Sequence, residues 1–174
     1  MDFTEPSLAV LYVLQHAQVP MTVEQISCAF ENSDYTYMHV AIVVNNLLEN
    51  NFVIKNTHPT GEFYEITVAG RMNLSRLETE IRYTLRQKLA NYCKENISQI
   101  NIESNTTAHV IAFNGIHQVI LQAFDKDATM SQLVLNVSDY DEAQLIVKNW
   151  KKHADKAVAA IYSVLLADNT NEDN

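Results

Sequence analysis

Residues 36–54, TYMHVAIVVNNLLENNFVI, combine the pattern of a helix with that of a strand that follows without a linker. At about 100° per residue, apolar side chains fall on one side of this helix and polar or small ones on the other. The apolar side comprises Val40, Val43, Val44, Leu47 and Leu48. Because asparagine tolerates a positive φ, Asn50-Asn51 predicts a left-handed stop. The composition of residues 52–54 predicts a strand directly after it.

Two shorter helices are predicted before this stretch and a hairpin after it. Ser7 is a candidate N-cap of the first helix, which a proline ends. Thr22-x-x-Gln25 matches a capping box at the start of the second helix. The run NTHPTG at 56–61 is rich in turn-forming residues and separates two strand-like runs. Three helices and then a hairpin is the order of a winged helix-turn-helix, whose third helix enters the DNA major groove.

A single long helix is predicted from about Val68 to Asn96, with Thr67 as its N-cap. Its apolar residues recur at a spacing close to that of a coiled-coil seam. A helix of this length that leaves a small domain is typical of a dimerisation element, and the alternative is that it packs on its own domain. The side chains predicted to form the dimer seam are Leu77, Ile81, Leu85 and Leu89.

The pattern changes to strands after this helix. The strand-like runs are INIE, TTAHVIAF, IHQVILQAF and MSQLVLNV, and Asn114-Gly115 between two of them predicts a type I′ turn. That turn pairs Phe113 with Ile116 and leaves both faces of the sheet apolar, although one helix can cover only one face. We expect the other face to meet the amino-terminal half, the long helix or another subunit.

These patterns together predict the fold class α+β, with an N-terminal winged helix-turn-helix, a long connecting helix, and a C-terminal antiparallel β-sheet backed by one helix. Residues 125–128 form the last turn of the sheet in this prediction. The predicted divisions are 1–70 for the winged-helix domain, 71–96 for the linker and dimerisation helix, 97–167 for the sheet and its helix, and 168–174 for a disordered acidic tail.

The net charge of −9 is unevenly distributed along the chain. Residues 1–70 hold one basic residue, Lys55, against eight acidic ones, whereas 71–95 carry a net charge of +3 and 96–174 one of −5. Because proteins gain much of their affinity for DNA by neutralising phosphates, this distribution argues against tight non-specific DNA binding. We therefore expect any contact with DNA to be weak and confined to low salt.

The outer side of the helix at 36–50 can be interpreted in two ways. Asparagine binds adenine bidentately, and isoleucine or methionine contacts a thymine methyl group, which favours DNA. Exposed apolar residues on an acidic surface equally favour a protein partner, and the residues alone leave both interpretations open. The predicted nucleic-acid-binding residues are Tyr35, Tyr37, Met38, His39, Ile42, Asn45, Asn46, Lys55 and Arg71.

The sequence holds no pattern typical of catalysis or metal binding. His109 and His117 are the closest pair of histidines on the predicted sheet, but the predicted register puts them on opposite faces, and neither lies in a zinc-type pattern. The three glycines, at 61, 70 and 115, form no phosphate-binding loop, and no nucleophile motif such as GxSxG occurs. We predict a protein that is not an enzyme and needs no metal or cofactor.

The cysteines and the N-terminus indicate the compartment. Cys28 and Cys93 lie far apart without metal-type spacing, which predicts buried free thiols in a reducing cytosol. The first residues, MDFTEPS, lack the basic start and apolar run of a signal peptide. No apolar run is long enough for a membrane span. We therefore expect a cytoplasmic protein that does not contact a membrane.

Several segments are similar to segments of bacterial regulators. The passage LLENNFVIKN and the wing FYEITVAGR, followed by a long helix, resemble the multiple-drug-resistance and phenolic-acid regulator superfamilies. Over about residues 7–167 the chain more closely resembles an uncharacterised bacterial family, domain-of-unknown-function family forty-three sixty-four. The matching segments are LAVLYVLQHAQVPMTVEQI, DYTY, LLENNFV, YEITVAGR and NWKKHADKAVAAIY. The resemblance implies a winged-helix head, an α+β tail, a bacterial cytoplasm and a regulatory role.

The leading hypothesis is therefore a homodimeric DNA-binding transcriptional regulator, open to control by a ligand, that places the helix at 36–50 on DNA. The alternative is a winged-helix-shaped protein-interaction module that does not bind DNA and instead presents Met38 and Ile42 to a protein partner.

Overall fold

A computed structural model of the protein describes residues 4–125 and 128–167, so the predicted tail at 168–174 and the centre of the turn at 125–128 lie outside the described residues. The chain is a mixed α+β protein with two compact units, which divide between residues 104 and 105. The elements of the first unit are α1 (Thr4–Ala17), α2 (Val23–Cys28), α3 (Tyr37–Glu49), β1 (Val53–His58), β2 (Gly61–Ile66), α4 (Val68–Leu77), a 3-10 turn (Glu78–Glu80) and α5 (Tyr83–Ser104).

The end of α3 has the left-handed stop that the sequence predicts. Asn51 adopts a φ of 58°. Its backbone N–H donates to the carbonyl of Leu48 at 3.0 Å, and the N–H of Phe52 donates to the carbonyl of Leu47 at 2.9 Å. These two bonds form a Schellman motif. Because the motif reverses the chain within two residues, β1 begins immediately afterwards at Val53.

Capping boxes begin both α2 and α3. The predicted box is confirmed, since the Thr22 hydroxyl accepts the N–H of Gln25 (3.2 Å) and the Gln25 side chain accepts the N–H of Thr22 (3.0 Å). In α3 the same pair of contacts joins Thr36 to His39, at 3.4 and 3.2 Å. A histidine nitrogen here takes the place of the usual Glu or Gln oxygen, so the standard sequence signature does not reveal this second box.

The core of the first unit forms around α1, which is buried on most sides and packs against α3, α4 and α5. The buried residues of α3 are Val40, Val43, Val44 and Leu47, as predicted, and those of α5 are Leu85, Leu89, Cys93 and Ile100. Because α5 folds back onto α1, this core extends well beyond the predicted domain boundary at residue 70.

The prediction of a single long helix from residue 68 to residue 96 is wrong. α4 ends at Leu77 and α5 begins only at Tyr83, with the 3-10 turn between them. Ile81 is extended at this break and its side chain is buried in the core, so the chain must leave the helical path to place it. The run INIE, at 100–103, was expected to be a strand but is part of the last turns of α5.

Three of the four predicted dimer-seam residues belong to the core of their own chain. Ile81, Leu85 and Leu89 are 1%, 6% and 0% exposed, while Leu77 is exposed. Side chains that are packed within one chain are not free to form a seam with a second copy. The structure therefore corrects the predicted dimer surface and agrees with the alternative, in which the helix packs on its own domain.

Gly70 allows α4 to start directly against the passage from α3 into β1. A Cβ atom at this position would lie 2.2 Å from the carbonyl oxygen of Phe52 and 2.9 Å from a side-chain carbon of Ile66. Thr67 is the N-cap of α4, as predicted. Its hydroxyl accepts the N–H of Gly70 (3.1 Å) and donates to the carbonyl of Asn51 (2.8 Å). These contacts fix the first turn of α4 and the side chains that follow it.

The second unit is a three-stranded meander followed by a helix. Its elements are β3 (Thr106–Phe113), β4 (Ile116–Asp125), β5 (Ala128–Val137) and α6 (Tyr140–Leu165), and the strands are antiparallel in the order β3-β4-β5. Phe113 pairs with Ile116, and Asn114 and Gly115 have φ values of 50° and 76°. The predicted hairpin turn and its register are therefore confirmed.

α6 covers one face of this sheet and packs mainly on β3 and β4. Among the described residues of this unit, the buried side chains are Val119, Leu121, Ala143, Trp150 and Ala154. The helix is interrupted at His153, where φ is −137° and ψ is 18°. On the opposite face Ile111, Ile116 and Val134 are 49%, 47% and 46% exposed, so this face is apolar but open. Among residues 4–125 and 128–167, no helix combines the length and the apolar character needed to cross a membrane.

Candidate nucleic-acid interface

The outer side of α3 is open to solvent along its length. Tyr37, Met38 and Ile42 are 47%, 64% and 43% exposed, and Asn45 is exposed as well. The Asn45 amide makes no hydrogen bond within the part of the chain that the structure describes, so both its donor and its acceptor are free for a ligand. Asn46, the next predicted site residue, is only partly exposed. The structure thus brings four of the predicted residues together on one free surface.

Two predicted site residues, Tyr35 and His39, are instead held by contacts within the first unit. The Tyr35 hydroxyl donates to Glu5 Oε2 at 2.9 Å, and its ring meets Phe30 edge-on at 5.8 Å between centroids. Burial and the bond to Glu5 raise the pKa of Tyr35. His39 Nδ1 accepts the backbone N–H of Thr36 in the capping box. Both side chains therefore stabilise the approach to α3 rather than extend its free surface.

Lys55, the single basic residue among residues 1–70, is paired. Its Nζ lies 2.9 Å from Glu62 Oε1 across the β1–β2 hairpin, and this hydrogen bond raises the pKa of Lys55. Both side chains are exposed, so the pair is weak and screened by salt. A phosphate can use Lys55 only in competition with Glu62.

Arg71, by contrast, is a free cation. It is exposed and makes no ion pair within the described residues. Its guanidinium makes one long hydrogen bond, 3.4 Å, to the carbonyl of Ile66 at the end of β2. The N-cap bonds of α4 hold the backbone beside it, so the structure presents this charge from a fixed position at the exit of the hairpin.

Two other arginines of residues 71–95, the stretch with a net positive charge, form ion pairs with acidic residues of the first unit. Arg82 lies 2.9 Å from Glu5 and 3.7 Å from Asp34, and Arg86 lies 3.3 Å from Glu78. Burial acts to raise the pKa of Glu5, but the hydrogen bonds from Arg82 and Tyr35 and the charge of Arg82 together outweigh it and hold the pKa below its ordinary value. The net charge of residues 71–95 therefore overstates the positive charge that is free for phosphate.

Ile54 is an exposed apolar residue that is not among the predicted site residues. It is 46% exposed on β1, while its neighbour Val53 is buried. Side chains alternate between the two faces of a strand, so this exposure follows from the burial of Val53. The sequence does indicate an exposed apolar residue here, because the run Phe52-Val53-Ile54 is apolar at every position and so cannot place all of its side chains on one buried face.

A cleft of about 800 Å³ opens beside Arg71, between the end of α1, the end of β2 and the start of α4. Gln15 also lines this cleft, and its buried Oε1 has no hydrogen-bond partner. The exposed guanidinium of Arg71 can contact an anionic group of a small molecule in this cleft, in competition with Glu65, which also lines it. No local pattern in the sequence indicates this cleft, because its walls come from three separated elements.

The histidines and cysteines form no cluster. Within the described ranges, no three His, Cys, Asp or Glu residues are placed to hold a metal ion. His109 pairs with Ile120 and His117 with Ala112, so the two histidines lie on opposite faces of the sheet, as predicted.

The two thiols differ in exposure. Cys93 is buried, as predicted, and burial raises the pKa of its thiol to about 11. Cys28 is exposed, so the prediction of two buried thiols is wrong for this residue. It lies at the end of α2, whose one buried residue is Ile26.

Comparison with known proteins identifies the family. Residues 7–167 match the family described as Domain of unknown function (DUF4364). The chain belongs to this family. No curated protein and no solved structure matches the sequence. This match confirms the resemblance to that uncharacterised family, but it assigns neither a partner nor an activity to the outer side of α3.

Proposed function

We propose that the protein is a winged helix-turn-helix transcriptional regulator that binds DNA as a homodimer. The order α1–α2–α3–β1–β2 supports this proposal, as does the packing of α2 against α3 across a short turn. The observation that carries it is the free outer side of α3, which is the helix that enters the major groove in this fold. The β1–β2 hairpin is then the wing.

The exposed residues have separate roles in this proposal. Asn45 reads a base edge, because its free amide can bind adenine bidentately. Met38 and Ile42 contact thymine methyl groups in the same groove. Arg71 contacts a phosphate next to the wing, and Lys55 does so after it leaves Glu62.

Few phosphates are neutralised in such a complex. Because Lys55, Arg82 and Arg86 are paired with acids, we expect no more than about two to four phosphate contacts per subunit. The logarithm of the binding constant should then fall by only about 2 to 4 per subunit for each tenfold rise in salt. Sequence preference therefore has to come mainly from α3.

An electrophoretic shift with fragmented genomic DNA at low salt tests the proposal. We expect retardation at micromolar protein, lost in Asn45→Ala and retained in Asn91→Ala. Asn91 is a matched control, since it is also exposed in a helix, α5, and makes no hydrogen bond within the described residues. An absence of retardation for the unmodified protein, or equal loss in both variants, would contradict DNA binding through α3.

A second candidate is a protein-interaction module, and the same surface supports it. Met38 is 64% exposed on a helix without a basic residue, and the wing lysine is already paired. An apolar patch with acidic surroundings suits a protein partner better than phosphate. This candidate predicts that Ile42→Glu abolishes capture of a specific partner while Val68→Glu, at another exposed apolar residue of the unit, does not. If the Ile42→Glu variant still captures the partner, this second candidate function is wrong.

The cleft beside Arg71 gives the regulator a place for an effector. We place the protein in the bacterial cytoplasm, where a small anionic metabolite reaches this cleft directly. Arg71 would then serve either the effector or a phosphate, and competition between the two would link effector binding to release of DNA. An effector that lowers DNA affinity should have no effect on DNA binding by Arg71→Gln.

A further inference from the structure

β5 is an edge strand whose edge is unprotected among the described strands. It pairs with β4 on one side only, and α6 packs mainly over β3 and β4. Its ten residues, ATMSQLVLNV, include no charged residue, no proline and no glycine. Half of the backbone N–H and C=O groups of such a strand point away from its one neighbour. Natural proteins usually block a long edge with charges, prolines or bulges, because an open edge pairs with other strands.

The single irregularity of β5 lies near its beginning. Ser131 pairs with Ala123 but Thr129 pairs with Phe124, so Met130 is an extra residue that forms a bulge. From Ser131 to Val137 the pairing with β4 is regular. The edge that remains for another strand is therefore this regular stretch of residues 131–137.

The sequence of that stretch is symmetric about Val134. Residues 132–136 read Gln-Leu-Val-Leu-Asn, with an amide, a leucine, the central valine, a leucine and an amide. An antiparallel pair of identical strands has a two-fold axis, and an axis at Val134 puts Leu133 opposite Leu135 of the second strand. It also puts Gln132 opposite Asn136. Like therefore meets like on both faces of the sheet.

The amides on the open face are already aligned toward this edge. The Thr107 hydroxyl donates to Gln122 Oε1 (3.1 Å), and Gln122 Nε2 donates to Gln132 Oε1 (3.0 Å). Gln118 Nε2 donates to Asn136 Oδ1 (3.4 Å). Both amides on β5 thus receive a hydrogen bond from β4, while their own NH₂ groups have no partner within the described residues. Each NH₂ group can donate to the amide oxygen of the other across the two-fold axis.

We infer that β5 pairs antiparallel with β5 of a second copy of this chain about an axis at Val134, so that the two sheets join into one of six strands. The absence of charge on β5 favours a second copy, because a chain with a net charge of −9 would otherwise bring like charges together. The other edge, β3, reads TTAHVIAF and lacks such symmetry. This inference supplies the dimer surface that the proposed function needs and that the helix seam cannot provide.

Light scattering of purified full-length protein tests this edge. We expect the unmodified protein to have twice the chain mass of 19.8 kDa. Val134→Lys should weaken the dimer by at least about tenfold, because two lysines then face each other at the axis. Val134 is half-exposed, so the variant should keep its fold, which circular dichroism checks. A monomeric unmodified protein, or an unchanged Val134→Lys dimer, would overturn the inference.

Ile111→Lys is the matched control. Ile111 lies on the same face with almost the same exposure, 49% against 46%, but on the opposite edge strand, β3. We expect this variant to remain dimeric. Loss of the dimer in Ile111→Lys as well as in Val134→Lys would indicate that the open faces stack against each other, and the edge-pairing geometry would be wrong.

A mixture of two variants tests the position of the axis. Val134→Lys and Val134→Glu should each be mainly monomeric alone and should form a mixed dimer when combined, because opposite charges then meet across the axis. Failure to pair on mixing would place the axis elsewhere and overturn the inference. If Val134→Lys does not fold, hydrogen exchange of the unmodified protein tests the pairing instead. The backbone amides of residues 131–137 should become more protected from exchange as the protein concentration rises, and unchanged protection would overturn the inference. A dimer that does not shift DNA would refute the proposed function but not this pairing.

Discussion

Arg82 binds Glu5 twice through one oxygen, since its backbone N–H and its Nε lie 3.0 and 2.9 Å from Glu5 Oε1. The residues are 77 positions apart, and Tyr35 donates to the second oxygen of the same carboxylate. This carboxylate therefore joins the start of α1, the approach to α3 and the break before α5. Arg82, one of the basic residues of the positively charged stretch 71–95, therefore holds the first unit together.

Glu5→Gln should lower the free energy of unfolding by about 1 kcal/mol at neutral pH, since the ion pair is partly exposed and screened. The pKa of Glu5 is below its ordinary value of 4.5 in the folded protein, so its contribution is complete above that value and is lost as the pH falls through the folded pKa. Urea unfolding of both proteins from acid to neutral pH measures this. Glu95→Gln, at an exposed residue of α5, is the control. A difference that persists unchanged into strong acid would contradict the role of the carboxylate.

Glu62→Gln should strengthen DNA binding if the proposed function is correct. The substitution frees Lys55 for a phosphate and removes a negative charge beside it. The slope of log affinity against log salt should then steepen by about 1 per subunit. Glu95→Gln makes the same change of charge on α5, away from the hairpin, and should have a smaller effect. Equal effects of the two substitutions would show that Lys55 does not contact DNA.

Gly70→Ala separates helix propensity from packing. Propensity alone predicts a gain of about 1 kcal/mol for alanine in a helix. The new Cβ would lie 2.2 Å from the Phe52 carbonyl oxygen, so we expect a net loss of about 2 to 3 kcal/mol in the free energy of unfolding. Urea denaturation monitored by circular dichroism measures the sign, with Ala69→Gly as a control that should lose only about 1 kcal/mol. A stabilised Gly70→Ala would refute this close approach.

Thiol titration should distinguish the two cysteines. With a chromogenic disulfide reagent at pH 8, we expect one thiol per chain to react in the native protein and two in denaturant. Cys93 should be protected because burial raises its pKa to about 11, which leaves little thiolate. Cys28→Ala should abolish the native reaction. The Cys28 thiol is exposed but should itself react slowly, because partial desolvation and nearby acids raise its pKa. Two reactive thiols in the native state would contradict the packing of α5 on α1.

The parts of the fold that the sequence predicts correctly are local. The stop at Asn51, the box at Thr22 and the turn at Asn114-Gly115 each depend on residues within five positions of each other. The inner side of α3 follows from periodicity in the same way. Local backbone geometry and helical spacing are enough to specify these features.

The features that the sequence does not predict depend on distant partners. The helix break at Ile81 depends on a core that includes α1 and on the contact of the next residue with Glu5. The pairing of Lys55 with Glu62 depends on the register of the hairpin. The hydrogen bond that holds the Tyr35 hydroxyl depends on Glu5, which is distant in sequence. Periodicity indicates which side chains of a helix point outward, but it does not indicate which charges are already neutralised.

The packing of α5 on α1 has a consequence for biosynthesis. α1 leaves the ribosome before the other elements described above, yet the helix that covers it ends only at Ser104. Until that point is translated, the apolar side of α1 has no permanent cover, and the nascent chain offers a binding site to chaperones. Premature termination anywhere before the end of α5 should therefore yield a product that is degraded rather than a small, independently folded domain.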